Sequence, residues 1–125
     1  MISTISLVAL GGAAGATLRY LAGLAVVRVM GHSPIPLAIL SVNVVGSFLM
    51  GVFVTFAAHR GLTHLSPLIM TGFLGGFTTF STFSLETVNL YDRDPSLALL
   101  YVALSVGLSV GALVLGMLAT RGAIA

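Results

Sequence analysis

The sequence predicts an all-α membrane protein of four transmembrane helices with a broken third helix, assembled as an antiparallel dual-topology homodimer. Three observations predict it. Four apolar segments, roughly residues 5–27, 37–58, 67–90 and 97–120, are each long enough to cross a hydrocarbon core of about 30 Å. The third is interrupted by Gly75-Gly76, followed by a run in which hydroxyls and phenyl rings alternate. The arginines are shared equally between the two sides of such a bundle, so nothing in the loops sets one orientation.

Composition supports this class and excludes others. Of 125 residues, 58% are hydrophobic and 6% charged. The mean hydropathy of +1.15 lies outside the range of soluble domains. With short connections the chain is a single four-helix domain over residues 1–125, and any function must reside within or between its helices. There is no cysteine, hence no disulfide, thiolate nucleophile or thiolate metal site. The pI of 9.7 reflects five arginines against three acids. Membrane loops favour arginine for topological reasons, so this excess implies no nucleic-acid partner. The first eighteen residues contain no basic stretch and the apolar segment continues past Arg19, so no cleaved leader is expected.

In segment one, Gly11, Gly15, Arg19 and Gly23 recur every four residues on one helical face. The glycines read as a packing surface, since small faces let helices approach closely. A guanidinium inside a span is costly and should face the bundle interior, a wet vestibule or a carboxylate, unless it snorkels to the nearer interface. The first loop, with His32, Pro34 and Pro36, ends one helix and prevents a straight run into the next. His32, His59 and His64 lie in or near loops without the i, i+4 pairing of metal ligands, so no histidine metal site is expected.

Segment two carries Asn43, Ser47, Gly51 and Thr55 at intervals of four, a polar and small stripe on an aliphatic helix. A carboxamide in mid-membrane needs partners, and its donors can serve a neighbouring helix or a passing anion. In segment three, glycine favours a break at Gly75-Gly76. Irregular backbone at bilayer depth is tolerated only where it is buried in protein or lines a wet cavity, which makes residues 72–84 the candidate functional site. Phe80 and Phe83 share a helical face, while Thr79 with Thr82 and Ser81 with Ser84 project from neighbouring ones, an arrangement able to line a narrow pathway. Segment four has one stripe of Tyr101, Ser105 and Ser109, expected to donate hydrogen bonds, and another of Ala103, Gly107 and Gly111, expected to pack. Serine can instead bond its own helix at i−4.

Topology follows from counting. Arg60 and Arg121 share one side with the N-terminus, Arg28 and Arg93 lie on the other, and no lysine breaks the tie. Such a chain can insert both ways. A four-helix unit is thin for enclosing a pathway, so an antiparallel homodimer with its two-fold axis in the membrane plane is the economical assembly.

Residues 72–84, Gly-Phe-Leu-Gly-Gly-Phe-Thr-Thr-Phe-Ser-Thr-Phe-Ser, strongly resemble the third-helix signature of the Fluc (CrcB-type) fluoride channels. Gly11-Gly12, Gly15-Ala16 and Arg19-Tyr20 look like that family's first-helix motif, and Val42-Asn43-Val44-Val45-Gly46 like its second-helix asparagine motif. The resemblance covers the whole chain. It implies a dual-topology homodimer in the bacterial inner membrane whose two antiparallel pores export fluoride passively. It also implies a central structural sodium ion held by the backbone carbonyls of Gly75 and Thr78. Phe80 and Phe83 would supply an aromatic box, Asn43 a donor to fluoride, and Tyr101, Ser105 and Ser109 a polar track, with Thr79, Ser81 and Thr82 adding hydroxyls. Arg19 and Glu86 would be vestibule or structural charges. One position departs: members often have threonine four residues before the asparagine, where this chain has Ile39.

The chemistry agrees. Removing water from a small, strongly hydrated anion requires compensating donors. The positive edges of phenyl rings can contact an anion without a full charge that would trap it, and weak multiple sites favour conduction. A runner-up is a small dual-topology, proton-coupled exporter of cationic compounds. It would need a carboxylate in the first helix, whereas the one embedded acid candidate is Glu86, near the end of segment three. A non-transporting scaffold subunit leaves the hydroxyl and phenyl run unexplained. An enzyme lacks any nucleophile and base pair or metal constellation.

Overall fold

The computed structural model describes residues 2–125. It contains α1 (Ile2–Met30) and α2 (Leu37–Arg60). Then comes α3, which opens as a π-helix over Pro67–Leu74 and closes with one α turn, Gly75–Phe77. The chain continues as α4 (Ser81–Arg93) and α5 (Pro95–Ile124). Four segments are long and apolar enough to span a membrane: Ser3–Met30, Leu37–Arg60, Thr63–Arg93 and Pro95–Ile124. The third comprises a 3₁₀ turn, Thr63–Leu65, followed by α3, the break and α4.

The ends of the helices follow local chemistry. Gly31 (φ 70°) and Gly61 (φ 69°) adopt the left-handed conformation that terminates α1 and α2. Pro67 opens α3 and Pro95 opens α5, where a missing N–H costs nothing. The Asp94 carboxylate caps α5, accepting from the N–H groups of Ser96 (3.1 Å) and Leu97 (3.4 Å).

The helices pack chiefly as α2 against α5 and α1 against α3. Both contacts depend on missing side chains. A Cβ on Gly11 or Gly15 would collide with the carbonyls of Leu68 or Phe73 in α3. One on Gly51 would strike the Leu113 carbonyl of α5, and one on Gly116 the Phe48 carbonyl of α2. Carbonyls cannot swing aside as side chains do, so these positions admit only glycine at this spacing. A small core of Leu40, Phe83, Leu90, Ala98 and Tyr101 joins α2, α4 and α5, with Ile39 packed on its edge.

Two expectations are corrected. The break does not fall at Gly75-Gly76. Gly75 is helical (φ −63°, ψ −36°), and the chain first extends at Thr78 (φ −86°, ψ 160°). Gly76 serves close packing instead, since a Cβ there would sit 2.7 Å from the Gly12 carbonyl oxygen. The stripe of Ala103, Gly107 and Gly111 also faces away from the described residues of this chain. All three are exposed, and a Cβ on Gly107 or Gly111 meets no atom within 4 Å. Burial of Tyr101 and Ser105 turns their face of α5 inward, and positions two residues on then point roughly the opposite way.

Candidate functional site

The break between α3 and α4 is held by side chains replacing the helix ladder. Thr78 closes α3, donating through both its N–H (3.0 Å) and its Oγ1 (2.8 Å) to the Leu74 carbonyl. Its Cγ2 methyl lies where Gly46 of α2 has no side chain, so α2 can come close enough for the next contact. One turn earlier on α2, the Asn43 amide pairs with the whole peptide of Thr79. Oδ1 accepts the Thr79 N–H at 2.8 Å, and Nδ2 donates to the Thr79 carbonyl at 3.0 Å. The pairing settles the amide's orientation, because only Oδ1 can accept from that N–H. Thr79 Oγ1 then accepts the Thr82 N–H at 3.3 Å and starts α4.

The Arg19 guanidinium meets the break from the other side, its Nε donating to the Gly76 carbonyl at 3.1 Å. A carbonyl in the bundle, not a carboxylate, is its partner. No donor among the described residues reaches the carbonyls of Gly75 or Thr78. The break therefore presents hard oxygen ligands, of the kind a small alkali cation takes.

Beside the break lies an open groove of about 360 Å³. α2 contributes Asn43 and Ser47, the break Thr78, Thr79 and Phe80, α4 Phe83, and α5 Ser105 and Ser109, with apolar residues such as Met50 and Leu113 completing the walls. The polar groups on it are amides and hydroxyls, with no charged side chain. Phe80 and Phe83 stand 5.4 Å apart between centroids with rings tilted by 49°. Phe83 is buried, whereas Phe80 is 76% exposed at the rim.

Of the residues anticipated from sequence, the groove gathers Asn43, Thr79, Phe80, Phe83, Ser105 and Ser109. Others lie off it. Tyr101 is fully buried behind Phe83, with rings 5.2 Å apart, and so stands outside the groove wall. Ser81 is exposed and Thr82 half-buried on α4, and neither lines the groove, nor does the half-buried Glu86. Ser81 and Thr82 share α4 with Phe83 but lie two residues and one residue before it, so the helix turns them off the face that Phe83 presents to the groove, and Glu86 lies a turn beyond it. Ser47 does line the groove and was not among the anticipated pathway residues. Its position one turn after Asn43 on the polar stripe of α2 is the signal that marks it.

Hydroxyl partners separate two classes of residue. Thr17, Ser84, Thr87 and Thr120 each return the hydroxyl to the carbonyl four residues back, the ordinary outcome in a membrane helix. The hydroxyls of Thr55, Tyr101 and Ser105 are instead buried without a partner among the described residues, and of the three only Ser105 lines the groove. A buried hydroxyl without a partner is costly, and Ser105, on the groove, is available to a dehydrated ion.

The family model described as CrcB-like protein, Camphor Resistance (CrcB), matches residues 6–117. The "Fluoride-specific ion channel FluC" of Ruegeria sp. (strain TM1040) is 58% identical over 123 residues, covering 98% of each chain. That of Jannaschia sp. (strain CCS1) is 67% identical over 103 residues, covering 78% of this chain and 98% of the relative. The protein of the same name from Roseobacter denitrificans is 59% identical over 123 residues, covering 97% of this chain and 98% of its own.

Proposed function

Because this chain belongs to the CrcB-like family and is a multi-pass bacterial membrane protein, we propose that it is a fluoride channel exporting fluoride passively across the cytoplasmic membrane. The observation that carries this reading is the groove itself: neutral donors from Asn43, Ser105 and Ser109 face the ring pair Phe80 and Phe83, with no fixed charge among them. Fluoride entering the groove exchanges water for hydroxyl and amide donors and for the positive ring edges. Each contact is weak enough to release it again. A cation exporter would require a titrating carboxylate in the first helix, and α1 carries none.

The assembly we propose is an antiparallel homodimer with two pores. Support comes from what a single chain leaves open. Phe80 is largely uncovered, the groove is open along one side, and the small stripe of Ala103, Gly107 and Gly111 lies bare on α5. A second copy would cover such surfaces. Adding lysines beside Arg121 would bias insertion to one orientation; the single-orientation protein, expressed alone, should then lose fluoride transport.

A central sodium ion fits the residues present. Among the described residues the Gly75 and Thr78 carbonyls have no donor, an arrangement costing several kcal/mol per group at bilayer depth. A sodium ion bound there would supply positive charge that offsets this cost and fixes the break. Arg19 occupies the intervening Gly76 carbonyl, leaving its neighbours free.

The test is fluoride efflux from liposomes reconstituted with the purified protein, followed with a fluoride electrode and repeated with chloride. Rapid fluoride efflux without matching chloride efflux, and without need of a proton gradient, is expected. Efflux no faster than from empty vesicles would sink the proposal.

A further inference from the structure

In an α-helix the N–H of residue 79 would donate to the carbonyl of residue 75. Here that N–H donates to Asn43 Oδ1 at 2.8 Å, and the Gly75 carbonyl is left without a donor. The Thr79 carbonyl, which would otherwise accept from residue 83, is taken by Asn43 Nδ2 at 3.0 Å. One amide on a different helix therefore removes both ladder bonds through which Thr79 would continue α3 into α4. The glycines do not make this break, since Gly75 itself is helical.

We infer that Asn43 is the positioning residue of the cation cradle: by capturing the Thr79 N–H it keeps the Gly75 carbonyl free for an alkali cation. The inference rests on the cradle reading above and adds a second role for a residue that also faces the groove. Asn43 has two amide hydrogens, and the Thr79 carbonyl takes one, so the other remains for the groove. Anion path and cation site thus share one side chain. Without that side chain, the Thr79 N–H can return to the Gly75 carbonyl and compete with the ion. The Gly46 contact with Thr78 keeps α2 at the distance where the amide reaches across.

The test reads sodium binding without reading fluoride flux. Melting temperature of the detergent-solubilised protein is measured against sodium concentration, with N-methylglucamine holding ionic strength constant. Wild type should be stabilised with a definable midpoint. Asn43→Ala should raise that midpoint by about tenfold, the equivalent of one competing hydrogen bond. Asn43→Asp retains an acceptor for the Thr79 N–H and should not raise the midpoint, which gives a second reading should Asn43→Ala not fold. Thr17→Ala, whose exposed hydroxyl returns to the Ala13 carbonyl of its own helix and belongs to neither the groove nor the break, should keep the wild-type midpoint. A wild-type midpoint in Asn43→Ala, or one raised about tenfold in Asn43→Asp, overturns the inference while leaving the cradle intact. A wild type showing no sodium-specific stabilisation overturns the cradle and the inference together, whatever the efflux assay shows.

Discussion

Arg19 and Gly76, 57 positions apart in sequence, are joined by a hydrogen bond of 3.1 Å from Nε to the backbone carbonyl. The contact ties α1 to the last turn of α3, immediately before the chain stops being helical. It joins the helices at the point where both give up side chains to come close, at Gly12 and Gly76.

Arg19→Met should therefore fold but lose stability. It keeps most of the apolar stem and removes the charged donor, a loss of about 1.5–3 kcal/mol for a bond of this kind. Arg19→Lys should recover part of it, since an ammonium can reach a carbonyl without Arg's fixed geometry. Melting temperature in detergent decides, and an unchanged Arg19→Met would reduce the bond to a surface contact.

Glycines of the same stripe type should respond differently according to what they face. Gly15→Ala drives a methyl group at the Phe73 carbonyl and should cost about 1–3 kcal/mol through overpacking. Gly107→Ala meets open space and should leave the fold of the single chain within about 0.5 kcal/mol. Gly107→Leu then probes the outer face. If a second copy packs there, cross-linking should show the dimer lost while helix content by circular dichroism is retained.

The two phenyl rings should separate flux from folding. Phe80 is exposed in the single chain, so Phe80→Ile should keep the melting temperature of the chain's own fold and lower fluoride efflux by up to about tenfold, from the loss of a ring interaction of about 0.5–1.5 kcal/mol. Phe83 packs on Tyr101, so Phe83→Ile should lower both quantities. Wild-type efflux in a stable Phe80→Ile protein would remove the ring from the pathway.

Ser47→Ala should reduce efflux without altering helix packing. Its hydroxyl is one of few donors on the α2 wall of the groove, and a net hydrogen bond of about 0.5–1.5 kcal/mol corresponds to a loss of up to about tenfold. Efflux and melting temperature on one preparation distinguish this from a packing effect. A variant as fast as wild type would make the α2 wall depend on Asn43 alone.

Span number, the glycine packing face of α1 and the irregularity of the third span were legible in the chain itself. Hydropathy over some 20 residues and spacings of three and four are local properties that depend on no neighbour. Asn43, Phe80 and Ser109 could likewise be marked from type and spacing, because an amide or an aligned hydroxyl in an apolar span needs a partner wherever the helix goes. What needed the tertiary structure was each choice between equivalent local options. A glycine pair permits a break but does not require one: Gly76 stays helical in close contact with Gly12, and the chain extends only at Thr78, beside the Thr79 peptide that pairs with Asn43. Two stripes on α5 were both small or polar, and only burial of Tyr101 decided which faced inward. Tyr101 and Ser105 share a face in sequence, yet the Phe83 ring, carried in by the separate helix α4, covers the tyrosine while the serine stays on the groove. Periodicity assigns a side chain to a face; which face meets which neighbour is set by backbones approaching where side chains are absent, and that is a property of pairs of helices.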